Sequence, residues 1–162
     1  MFKKKLSPYE AAAHLIHIAA NRFRENWDTE LIELNKMLDD KQKINDEDYA
    51  DYEILLALLS TELIVVNNLS PEKYHTVFSC VLNLASDTEG FEEYSFLTLK
   101  NDYPRGIAEA KKRGELEIEG IIQVLAEKLD ITLNPLRGTL LMQMVIKNAG
   151  IWKNIVQNYK IS

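Results

Sequence analysis

From Ser7 to Arg24 the apolar and polar positions recur with a helical period. Tyr9, Ala12, Ile16, Ala19 and Phe23 form one stripe, and Glu10, His14, His17, Asn21 and Arg24 form the opposite one. The start of that helix carries three agreeing signals. Ser7 can cap, Pro8 suits the first turn, and Glu10 completes a Ser-x-x-Glu capping box. A second helix is predicted from about residue 28 to 40, with Trp27, Leu31, Leu34 and Leu38 on one face. After a turn over residues 41–45, Asn45 is expected to cap a third helix, whose acidic first turn (Asp46, Glu47, Asp48) suits the positive end of the dipole.

The third helix is apolar nearly all round between Ile54 and Val66 and is therefore expected at the centre of the fold. Ser70-Pro71 repeats the cap-plus-proline start, and Tyr74, Val77, Phe78, Val81 and Ala85 make the buried face of a fourth helix. Residues 91–99 have strand-like composition but no strand to pair with, which favours helix. A helix restarting at Pro104 is expected to break or bend near Gly114. The apolar pattern then continues to Ile131, and Asn134-Pro135 opens a last helix reaching about Tyr159. The fold class that follows is all-α, a single bundle-like domain over 1–162 with six to eight helices and a flexible lead-in over residues 1–6.

Composition agrees with this reading. The 162 residues are 46% hydrophobic, enough for a substantial core, and contain only six glycines and four prolines, too few for a turn-rich β fold. Cys80 is the single cysteine, so no intrachain disulfide can form. The basic start Lys3-Lys4-Lys5 is followed by Ser7, Pro8 and Glu10 in place of an apolar signal segment. The longest apolar run has 13 residues (54–66), against ~20 needed to span a bilayer. These features predict a cytoplasmic protein without membrane association. The net charge of −6 makes nucleic acid a poor partner.

Charge segregation changes the picture most. Ten acids lie between Asp28 and Glu53, opposed by Lys36, Lys41 and Lys43 alone, for a net of −7; after Asp130 there are no acids and four basic residues, Arg137, Lys147, Lys153 and Lys160. One reading is a solvated acidic face offset by a basic last helix packed nearby. The other is a docking surface for a basic protein partner, centred on Asp39, Asp40, Asp46, Glu47, Asp48 and Asp51.

Candidate chemistry is sparse. Glu10, His14 and His17 share a helix face at metal-ligand spacing, but the face is polar throughout and no further ligand is identifiable. Glu72 and His75 form a lone Glu-x-x-His unit, where di-iron bundles need two. No phosphate-cradling loop, dinucleotide turn or nucleophile elbow occurs, so no catalytic residue, metal or cofactor is assigned and a non-enzymatic role is favoured. The remaining candidate is a buried polar cluster. Glu62 falls among Leu55, Leu58 and Val66, while Asn148 and Arg137 fall on the apolar stripe of the last helix, which makes those two the expected partners of Glu62. Such a cluster either pins central helices together or floors a pocket. The leading functional expectation is an acidic interaction module that neutralises or regulates a basic partner. The alternative is an enzyme or a small-ligand or metal sensor using the polar cluster. Trp152, Ile155 and Tyr159 leave self-association open.

Overall fold

The computed structural model describes residues 2–38, 47–66, 70–86 and 92–162. Strand β1 (Lys4–Leu6) leads into helix α1 (Pro8–Lys36). The predicted capping box is present. Ser7 Oγ accepts from the Glu10 N–H at 3.2 Å, and the Glu10 carboxylate accepts from the Ser7 N–H at 2.7 Å. The helix then runs unbroken for 29 residues, so the separate second helix expected from residue 28 is instead the far half of α1. No glycine or proline interrupts it; Ala11, Ala12, Leu15 and Ala19 are buried in its near half and Leu31 and Leu34 in its far half, where the buried face has turned by roughly 100–160° from Leu15. Tyr9, placed on the apolar stripe by sequence, is exposed because the buried stripe is centred near Leu15, about one position before the expected Ile16.

Helix α2 (Glu47–Val66) is central. Ile54 and Leu56 to Leu59 are almost completely buried, and the helix packs against α1 and every helix of the C-terminal third. The expected cap Asn45 lies outside the described residues. Helix α3 (Pro71–Ser86) buries Val77, Val81 and Ala85 as its pattern requires. Residues 92–112 form one rod in three parts: α4 (Glu92–Leu97), a π-helical stretch (Thr98–Asp102) and α5 (Tyr103–Lys112). The wide turn falls immediately before Pro104, whose ring has no N–H to donate and displaces the carbonyl four residues back. Lys128 braces this stretch, donating to Asp102 at 2.6 Å and Thr98 at 3.3 Å and lying over the Tyr94 ring.

Helix α6 (Glu117–Lys128) crosses α5 at Gly106 and Gly120, where a Cβ on Gly106 would meet the Gly120 carbonyl oxygen at 2.7 Å. Backbone therefore packs on backbone at this crossing. Helix α7 (Pro135–Asn148) begins as predicted, with Asn134 capping the Arg137 N–H at 2.9 Å. It stops at Asn148, and Gly150 (φ 85°) turns the chain into α8 (Ile151–Asn158). The expected single last helix is thus two. Strand β2 (Tyr159–Ile161) pairs in parallel with β1, Leu6 opposite Ile161, so residues 4–6 are tied to the C-terminus instead of forming a flexible lead-in. The described residues make seven helical rods and one two-stranded ribbon: an all-α fold around one hydrophobic cluster.

Candidate functional site

Two contacts fix how α7 lies on α1. Arg137 Nε donates to the Met37 carbonyl at 3.1 Å, and Lys147 Nζ stands 3.4 Å from a Glu30 carboxylate oxygen. Residue numbers rise along one helix as they fall along the other, so the two are antiparallel. A groove of about 630 Å³ opens between them. Leu140, Met142, Met144 and Ile146 supply its apolar lining, and Glu30, Glu33 and Lys147 its charges. Unbranched methionine side chains adapt their shape to a partner more readily than branched ones.

Glu30 is the unusual group in this groove. Its side chain is 6% exposed, yet neither carboxylate oxygen receives a hydrogen bond among the described residues. Lys147, itself 57% exposed, supplies an ion pair at 3.4 Å, beyond the usual N–H···O range. Burial raises the Glu30 pKa above its ordinary value of 4.5; Lys147 opposes that shift and Glu33 adds to it. A buried carboxylate oxygen without a donor is a costly arrangement, and a donor arriving from outside would relieve it. Counting charges along the sequence placed Glu30 on the solvated acidic face. Its spacing of four from Leu34 was the signal that it turns toward the interior.

The buried polar cluster is arranged differently from the sequence expectation. Glu62 is 1% exposed, and its two oxygens accept from the backbone N–H groups of Ile151 (3.1 Å) and Trp152 (2.9 Å). A side chain of α2 thereby caps the first turn of α8, where the free N–H groups and the helix dipole both favour a carboxylate. Neither Arg137 nor Asn148 donates to it. Arg137 is spent on the carbonyls of Met37 and Thr132, and Asn148 bonds back to Met144 within α7. The three residues are buried but do not form one site. Arg22 adds a second brace at the α7–α8 turn, donating to the carbonyls of Asn148 and Ala149.

Of the acidic residues proposed for docking, Asp39, Asp40 and Asp46 lie outside the described residues. Glu47 and Asp48 stand in the first turn of α2, and Asp51 is half-buried. The His14 and His17 face is exposed, with His17 bonded to Asn21 at 3.1 Å, and Glu72 and His75 are exposed on α3. Among the described residues no group of three metal-ligating side chains converges, and no helix is long and apolar enough to cross a membrane. No protein-family model, curated protein or solved structure matches the chain.

Proposed function

We propose that the protein is an interaction module that receives a basic amphipathic helix of a partner protein in the α1/α7 groove. The observation that supports this most is Glu30, a buried carboxylate lining the groove whose ion-pair partner Lys147 stands 3.4 Å away and which accepts no hydrogen bond of good geometry among the described residues. An arginine on the partner would bring paired N–H groups to both oxygens, and the Leu140, Met142 and Ile146 surface would take apolar residues one turn away. The segment Asp28 to Glu53, which includes the groove residues Glu30 and Glu33, carries a net charge of −7. Charge there would steer a basic partner toward the groove, and the net charge of −6 favours protein over nucleic acid as that partner. A cytoplasmic setting belongs to the same proposal.

A sensor or enzyme built on Glu62, Arg137 and Asn148 has less behind it, because Glu62 already has two donors and shares none with the other two. The test uses a synthetic amphipathic helix with one arginine inside its apolar stripe, and a twin carrying citrulline there. The arginine peptide is expected to bind in a salt-sensitive manner, and to lose about tenfold in affinity on citrulline substitution or on Glu30→Gln. Equal affinity for the two peptides would remove Glu30 from recognition and the proposal with it.

A further inference from the structure

A second concavity lies between α2, α3 and α5, with a volume of about 280 Å³. At ~30 Å³ per water-sized group, that is room for a molecule of on the order of ten non-hydrogen atoms. One wall is rigid. It belongs to α5, locked to α6 by the Gly106–Gly120 crossing, and presents Tyr103, Pro104 and Ile107. The facing wall is the stacked pair Tyr74 and Phe78, ring centroids 5.7 Å apart at 21°. Leu63 and Leu99 close the interior.

The polar groups define the ligand. Lys111 and Glu117 stand at the mouth as a 3.1 Å ion pair, so each already holds its counter-charge and neither calls for a charged ligand. Inside, Ser60 Oγ donates to the Leu56 carbonyl at 2.9 Å and keeps its lone pairs free to accept. The Tyr74 hydroxyl has no hydrogen-bond partner among the described residues, and burial pushes its pKa up, which keeps it a neutral donor. Tyr103 turns its own hydroxyl to the Glu53 carbonyl and so offers the cleft its ring. Aromatic faces, aliphatic ends, one free donor and one free acceptor together suit a ring that carries a hydroxyl. We infer that this cleft binds a small uncharged phenol-like molecule, its ring between Tyr74/Phe78 and the α5 wall and its hydroxyl toward Tyr74 or Ser60.

The site is separate from the α1/α7 groove and does not depend on the peptide reading. Calorimetric titration of the full chain with p-cresol tests it, with 4-hydroxybenzoate and tyramine as charged counterparts and toluene as the hydroxyl-free one. Saturable p-cresol binding is expected below about 1 mM, with both charged molecules weaker by about tenfold. Ala108→Trp, at an exposed position on the rim, is expected to abolish binding while leaving the circular dichroism unchanged. Tyr74→Phe is expected to weaken p-cresol several-fold and leave toluene unaffected. Absence of saturable p-cresol binding, tighter binding of either charged molecule, or undiminished p-cresol affinity in both variants would overturn the inference.

Discussion

Glu62→Ala removes the carboxylate that caps α8 from α2, and the structure sets the size of the loss. Two charge-assisted hydrogen bonds disappear, and the Ile151 and Trp152 N–H groups are left without acceptors beside a side chain that is 2% exposed. Orphaning a buried donor costs about 1–3 kcal/mol. Release of the carboxylate's own desolvation offsets part of the sum, and the space left by the side chain adds to it. A net loss of about 3–5 kcal/mol is expected, which for a domain of this length lowers the melting temperature by roughly 6–20 °C. Glu62→Gln keeps the volume and one acceptor but turns an amide N–H₂ toward a backbone N–H, for a loss of about 1–3 kcal/mol. Urea unfolding followed by far-ultraviolet circular dichroism measures both. The same experiment on Arg137→Met and on the double variant with Glu62→Gln checks the arrangement itself. With Glu62 bonded to backbone and Arg137 to other carbonyls, the two losses are expected to add within about 0.5 kcal/mol. A loss below about 1 kcal/mol for Glu62→Ala, or strong coupling between Glu62 and Arg137, would refute the reasoning.

Three further outcomes are expected. Gly120→Ala drives a methyl group into the backbone of Gly106 and should destabilise the α5/α6 crossing by more than about 3 kcal/mol, read as a collapse of the urea midpoint. Asp130 (φ 56°) closes α6 in a left-handed cap, with the Ile131 N–H returned to the Ala126 carbonyl at 2.9 Å; Asp130→Gly relieves the conformation and should raise stability by about 1 kcal/mol. Because burial holds the Glu30 pKa above 4.5, the folded state binds more protons than the unfolded state in the window just above that value. Its contribution is therefore full in acid and lost as pH rises through the raised pKa. Glu30→Gln should accordingly melt higher than the parent at pH 7 and at the same temperature near pH 4, and a constant difference across that range would place Glu30 in water.

Local rules made much of the helical framework legible. Ser7, Asn134 and the prolines at 8, 71 and 135 mark helix starts through chemistry confined to one turn, and all three starts are where that chemistry puts them. The apolar girth of α2 likewise implied its central position and the burial of Glu62. Features set by tertiary contact were not legible. The α1 helix continues through residue 28 with no glycine or proline to stop it, while its buried face turns by roughly 100–160° between Leu15 and Leu31 or Leu34, and such a turn reads along the sequence as a new helix. The β1–β2 pairing joins segments more than 150 residues apart, beyond any local pattern. The sequence marks Glu62 as needing partners, but side-chain stripes carry no record of backbone N–H groups, and the apolar pattern through Tyr159 shows no new start at Ile151. Glu30 was hidden by its neighbours, since a run of acids reads as solvated until the fold shows which member faces inward.

The claim that the α1/α7 groove is a binding surface for a basic helix is tested most directly by methyl nuclear magnetic resonance of the four methionines. Met142 and Met144 line the groove, Met37 sits at its Arg137 end, and Met1 begins the chain. On titration with the arginine-bearing amphipathic peptide, the Met142 and Met144 methyl signals are expected to shift together and saturably, with a midpoint that rises with salt and rises further in Glu30→Gln. Methyl signals that stay fixed while the peptide binds, or the same shifts in Glu30→Gln at the same midpoint, would contradict it.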